Sequence, residues 1–140
     1  MIPSFLIKKY DVPAPRYTSY PTVPYWETPP TTEQWIAELA KAVSKTETRL
    51  SVYVHIPYCE TLCTFCGCNT TITKDHKKED PYVNMIHQEL ATYLKLLPDL
   101  EGKELLEIHL GGGTPTFLSP TSLENLIGPF FSSFSKRENL

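Results

Sequence analysis
The sequence predicts an α/β fold of parallel strands joined by helical crossovers. Two segments carry that expectation. Residues 50–56 and 104–110 alternate as strands do, and each is followed in time by residues at helical spacing. Both strands also run straight into an unusual loop, one rich in cysteine and one made of three glycines. Alternating strands and helices imply right-handed parallel crossovers. Functional groups in such folds gather at the C-terminal ends of the strands. Neighbouring strands would therefore set both loops on one rim.

The elements follow in order. Residues 1–30 include PAPRYTSYPTVPYWETPP. Proline lacks a backbone N–H and pushes the preceding residue toward extended conformations, so this stretch reads as an extended arm packed on another surface. A disordered tail is the alternative, against which the tyrosines and Trp26 weigh. Thr31 suits a helix N-cap with Gln34 as its capping-box partner. Trp35, Ile36, Leu39, Ala40 and Val43 then fall on one face. In LSVYVHI, Leu50, Val52, Val54 and Ile56 point one way, while Ser51, Tyr53 and His55 point the other. Pro57 ends that strand. Asp80 as N-cap and Pro81 at the first helical position predict a second helix. Tyr82, Ile86, Glu89/Leu90, Tyr93 and Leu97 keep an approximate period of 3.6, and Pro98 stops it. In ELLEIHL, Leu106, Ile108 and Leu110 share a face. Ser119 and Pro120 open a third helix with Leu123, Leu126, Ile127 and Phe130, which Gly128-Pro129 should kink or shorten.

Composition narrows the function. Thirteen basic and sixteen acidic residues give a net charge of −3, without the basic excess of a nucleic-acid binder. Hydrophobic residues at 41% and charged residues at 21% argue against a wholly disordered chain. No apolar run approaches the ~20 residues of a membrane-spanning helix. The opening MIPSFLIKKY places its charges after its apolar patch, the reverse of a secretory signal, so a cytoplasmic protein is expected.

All four cysteines lie between positions 59 and 68. In a reducing compartment such a cluster points to metal or redox chemistry rather than disulfides. The pattern Cys59-x3-Cys63-x2-Cys66-x-Cys68 lacks the two separated pairs of a structural zinc site. A compact loop with three cysteines can grip three corners of a cubane iron–sulfur cluster and leave the fourth iron open to a ligand. A small zinc site and an incidental redox pair are the alternatives. Gly111, Gly112 and Gly113 let the backbone approach a ligand that a Cβ would exclude; a plain tight turn is the alternative. Tyr53 and His55, taken alone, read as half-buried strand residues. His76 and His87 are assigned no chemistry, and His109, facing with Glu107, is expected only to hydrogen-bond.

The Cys59-x3-Cys63-x2-Cys66 loop after a first strand, with Phe65 before the third cysteine, resembles the radical S-adenosylmethionine (SAM) enzymes. Within them, SVYVHIPYCETLCTFCGCN, the upstream PRYTSYP and the downstream HLGGGTPT resemble the oxygen-independent coproporphyrinogen III oxidases (dehydrogenases), from Pro15 to about Leu126. Cys68 and the PRYTSYP arm favour the oxidase over the related haem-chaperone branch, which usually lacks both. The resemblance implies the N-terminal portion of a partial (β/α) TIM-type radical SAM barrel, preceded by an extended Pro/Tyr-rich arm and a helix. Residues 1–48 would form the arm and helix, and residues 49–140 the first two βα units.

The same resemblance implies roles for single residues. Cys59, Cys63 and Cys66 would ligate a [4Fe–4S] cluster. Tyr53, Phe65, Gly112, Gly113 and Thr114 would contact SAM, of which the family binds two. Cys68 and His55 would serve catalysis without ligating the cluster. The implied reaction converts propionates of coproporphyrinogen III to vinyl groups through a 5′-deoxyadenosyl radical, giving protoporphyrinogen IX for haem. It needs an electron donor the sequence does not identify, no nucleic acid and no membrane, and the family is expected to be monomeric. Arg16 is a candidate partner for a substrate carboxylate, or equally a surface ion pair. Barrel domains run to ~200 residues or more. With two βα units, this chain is expected to be an amino-terminal fragment that is incomplete for catalysis alone. A haem-handling relative or a non-catalytic zinc module is the alternative.

Overall fold
The computed structural model describes residues 2–12, 25 and 27–136. The PRYTSYP segment with Arg16, Trp26, and residues 137–140 lie outside the described residues. The chain divides into two compact units, residues 1–31 and 32–140.

The first unit contains helix α1 (Ser4–Tyr10). This corrects the expectation of an arm extended throughout residues 1–30. No proline follows Pro3 within SFLIKKY, so no backbone donor is missing. Lys8 and Lys9 in the last turn favour the negative end of the helix dipole.

The second unit opens with α2 (Thr32–Val43), which starts directly after the expected cap residue, Thr31. Val43 is buried, and Ile36, Leu39 and Ala40 pack against the core. That burial joins α2 to the strands. Trp35 stays half exposed at the helix surface, where its Nε1 donates to the Tyr93 hydroxyl at 3.3 Å.

Strands β1 (Arg49–Ile56) and β4 (Glu104–Gly112) pair in parallel, as alternation predicts. Between them lie the short strands β2 (Tyr58–Cys59) and β3 (Thr71–Ile72), a 3-10 turn at His76–Lys78, and helix α3 (Glu79–Leu96). After β4 come helix α4 (Pro120–Ser133) and β5 (Ser135–Lys136). β5 pairs in parallel with Glu104 and Leu105, so the main sheet has the order β1-β4-β5. The sequence reading had only two strands; two residues are too short to show a period.

The helix-facing side of the sheet forms the core, with Val54, Ile56 and Leu105 against Tyr82, Val83, Leu90, Leu126 and Phe130. Each fully buried aliphatic side chain there contributes roughly 1.5–3 kcal/mol. The register corrects one expectation. Leu50 pairs with Leu105 but Ser51 pairs with Glu107, so Leu106 is an extra residue in a bulge. The bulge reverses parity. Leu105 enters the core before it, and Ile108 and Leu110 turn the same way after it.

Two helix readings also change. Asp75 caps the 3-10 turn by accepting the Lys77 N–H at 3.2 Å, and α3 follows at once from Glu79. Asp80 is therefore inside the first turn, where Pro81 has no helical N–H bond to lose. The helix stops at Leu96 before Pro98, as expected. At its own N-terminus α4 matches the reading, with the Ser119 hydroxyl accepting the Ser122 N–H at 3.2 Å and Pro120 next. It nevertheless runs through Gly128-Pro129 without shortening. Pro129 offers no N–H to the Asn125 carbonyl four residues back; His87 Nε2 donates to that carbonyl instead, at 3.0 Å.

Candidate functional site
The cysteine loop leaves the C-terminal end of β1 and the glycine loop leaves the C-terminal end of its neighbour β4. Backbone bonds stitch the two together. Gly113 N–H donates to the Ile56 carbonyl at 2.7 Å, and Thr114 N–H to the Tyr58 carbonyl at 2.8 Å. The Thr114 hydroxyl donates to Cys59 Sγ at 3.3 Å.

The glycines make this approach possible. Gly112 has φ +98, a region most side chains avoid, and a Cβ there would stand 2.8 Å from the Ile56 carbonyl oxygen. A Cβ on Gly113 would stand 2.6 Å from the Tyr58 carbonyl oxygen and 2.9 Å from Cys59 Sγ. The chain's own strand and cysteine loop thus already demand glycine at both positions, whatever a ligand adds.

The loop between Cys59 and Thr71 is closed at its base. β2 and β3 pair in parallel, with Thr71 N–H donating to Pro57 at 2.6 Å and Thr73 N–H to Cys59 at 2.8 Å. Neither strand was legible in the sequence. Cys59 is buried, whereas Cys63, Cys66 and Cys68 are exposed. Phe65 is fully exposed. Among the described residues no three His, Cys, Asp or Glu side chains stand close enough together to hold one metal ion. The structure therefore brings Cys59 to Gly113 and Thr114 but does not gather the four sulfurs. The donor set suits an iron–sulfur cluster all the same: three thiols on a short loop, two of them reachable from solvent, and a third receiving a hydroxyl hydrogen bond.

Tyr53 and His55 lie on the sheet face opposite the helices. The Tyr53 hydroxyl donates to His55 Nδ1 at 3.2 Å, and His55 Nε2 donates to the Asn69 carbonyl at 2.8 Å. A neutral imidazole with its proton on Nε2 satisfies both bonds. His55 therefore ties the downstream end of the cysteine loop to β1. Tyr53 also stacks on its strand partner His109, with centroids 5.6 Å apart. Below them the buried Tyr82 hydroxyl donates to the His55 carbonyl at 2.7 Å. Burial chiefly, aided by nearby Tyr58 and Glu89, pushes that phenol up to about 12.

Sequence reasoning missed a second cluster beside the loop. His76 Nδ1 is 2.7 Å from Glu79 Oε1, and its Nε2 is 3.2 Å from Glu60 Oε1. Its ring stacks on Phe117, with centroids 4.5 Å apart and planes at 13°. The hydrogen bond to Glu79, helped by Glu60 and opposed by desolvation, raises the His76 pKa. Glu79 is buried and also accepts the Ser119 N–H at 2.9 Å. Burial opposes its charge, but the Ser119 N–H, Ser122 and His76 outweigh it and hold the carboxyl at about 2. The only sequence signal was the three-residue spacing of His76 and Glu79. A separate groove of about 610 Å³ lies between β1 and helices α2 and α3. Its mostly apolar lining includes Tyr53 and His55 but no cysteine.

No family model matches the chain. It is 38% identical over 122 residues to the oxygen-independent coproporphyrinogen III oxidase of Escherichia coli (strain K12), a match covering 87% of this chain and 25% of that protein. The protein of the same name from Pseudomonas aeruginosa is 42% identical over 123 residues, covering 87% and 26%. That from Mannheimia haemolytica is 38% identical over 129 residues, covering 92% of this chain and 84% of the relative. Among solved structures, coproporphyrinogen III oxidase (HemN) from Escherichia coli, described as a radical SAM enzyme, superposes with a TM-score of 0.72 at 31% identity. That match covers 95% of this chain and 28% of the other. The chain thus spans about a quarter of the Escherichia coli and Pseudomonas relatives. The mixed α/β unit with its parallel sheet is a part of that radical SAM fold, as the sequence predicted.

Proposed function
The chain belongs to the family of oxygen-independent coproporphyrinogen III oxidases, and from that premise we propose that it carries the cofactor-binding rim of a radical SAM oxidative decarboxylase. The observation that carries this reading is the cysteine loop at the end of β1, bonded through Gly113 and Thr114 to the glycine loop at the end of β4. Cys59, Cys63 and Cys66 would hold a [4Fe–4S] cluster, with Cys68 outside the ligand set. When bound, the cluster supplies the electron that cleaves SAM reductively and starts conversion of coproporphyrinogen III propionates to vinyl groups.

The chain's own residues bind and orient. The Gly112–Gly113 backbone, Thr114, Tyr53 and Phe65 would contact SAM, with two molecules of it in the proposed site. Cys59 keeps its sulfur against the Thr114 hydroxyl, which holds it beside the glycine loop. The Tyr53–His55–Asn69 chain of hydrogen bonds sets where the loop re-enters the fold. The reading also carries a cytoplasmic setting, a monomer, an unidentified electron donor, and no nucleic-acid or membrane partner. Among the described residues no helix is long and apolar enough to cross a membrane. Cofactor binding is assigned to these residues.

Anaerobic reconstitution with iron and sulfide tests the reading. About four irons per chain are expected, with the absorption of a [4Fe–4S] cluster. Serine at Cys59, Cys63 or Cys66 should abolish the chromophore, and Cys68→Ser should keep it. One zinc per chain without sulfide, or a chromophore indifferent to the first three serines, overturns it.

A further inference from the structure
Resting on the reading that the loop from Cys59 carries the cluster, we propose that His76 is a positioning residue which pins the upstream end of that loop to the segment leaving β4. One imidazole touches three elements. Its Nε2 meets Glu60, the residue after Cys59; its Nδ1 meets Glu79 in the first turn of α3; its face lies on Phe117, just beyond the glycine loop. Glu79 extends the link by accepting the Ser119 N–H at the start of α4.

With a carboxylate at each ring nitrogen, both nitrogens donate, as only an imidazolium can. The raised pKa of His76 agrees with that protonation. At the other end, His55 holds the Asn69 carbonyl. Two histidines therefore pin the two ends of the loop, while residues 61–68 between them are exposed and outside the sheets. Fixing both ends shrinks the range of arrangements from which three sulfurs must converge, and so lowers the entropic cost of closing on a cluster.

The test separates this role from general stability. Glu60 is exposed, so Glu60→Ala removes only the loop-side contact. His76→Ala removes both contacts and the stack, and His76→Arg restores donors that can bridge two carboxylates. Amide hydrogen exchange is followed in the reduced, metal-free 140-residue chain. Glu60→Ala and His76→Ala should each speed exchange at Thr71 and Thr73 by about two- to fivefold. The double variant should add little to His76→Ala, because the two residues share one interaction. Amides of Val54 and Leu110 should not change, and His76→Arg should recover much of the protection. After reconstitution, both alanine variants should lose iron to a chelator faster than the unaltered chain. Unchanged Thr71 and Thr73 exchange in both single variants, strictly additive effects, or equal iron retention overturns the proposal. If the unaltered chain takes up no iron, the cluster reading fails and the exchange data alone decide whether His76 pins the loop.

Discussion
Glu79→Gln should remove an acid-sensitive part of the stability. Glu79 is 7% exposed, and its carboxylate oxygens face the Ser119 N–H at 2.9 Å and His76 Nδ1 at 2.7 Å. Burial alone would raise its pKa, but those donors and Ser122 hold it at about 2, against an ordinary value of 4.5. At about 1.4 kcal/mol per pH unit, that difference bounds the contribution near 3 kcal/mol. Its partner His76 is half exposed and solvent screens the pair, so about 1–3 kcal/mol is expected. The sign follows from the direction. A carboxyl with a depressed folded pKa stabilises fully above the unfolded value of 4.5, and that stability drains as pH falls toward 2. His76, with its pKa raised, contributes below its ordinary 6.5 and loses that contribution as pH rises through its folded value. Urea unfolding of both proteins under reductant measures the gap between them. It should be largest near pH 5–7 and shrink to less than about half near pH 3. A gap that is the same at pH 7 and pH 3, or that widens in acid, refutes the reasoning.

Three further outcomes follow from the packing. Gly113→Ala puts a Cβ 2.6 Å from a backbone oxygen that cannot swing aside, so it should cost about 1–3 kcal/mol and speed exchange at the Thr114 amide; unchanged urea midpoints would contradict the close approach. Leu105→Ala should cost about 2–5 kcal/mol, and Leu106→Ala about 1 kcal/mol or less, because the bulge sends only Leu105 into the core. The opposite ranking by chemical denaturation would remove the bulge. His87→Ala should cost about 1 kcal/mol by stripping the donor from the Asn125 carbonyl. In a Pro129→Ala background the helix regains its own N–H and that cost should fall, so equal costs in the two backgrounds would contradict the assignment.

Much of the fold was legible because it rests on local rules. Alternation in LSVYVHI and ELLEIHL located β1 and β4, and Ser119-Pro120 located the start of α4. The cysteine spacing and the three glycines marked the two loops that the parallel pairing then set side by side. Errors arose where a distant partner overrode a local signal. Gly128-Pro129 breaks an isolated helix, but Leu126 and Phe130 are buried on either side of it and His87 supplies the missing donor. Asp80 and Pro81 look like a helix start, but the turn capped by Asp75 begins the helix earlier.

The sequence by itself determined the order of α2, β1, α3, β4 and α4, the apolar faces of those helices and the set of thiols, since each depends on residue type and spacing within one segment. Only the tertiary structure decided that Leu105 rather than Leu106 is buried, since parity across a bulge is fixed by the partner strand. It alone decided that Gly112 and Gly113 are required by the Ile56 and Tyr58 carbonyls, and that His55 and His76 grip opposite ends of one loop. Those contacts join residues far apart in the chain, and a hydrogen bond or a steric limit exists only once folding has brought both partners within a few ångströms.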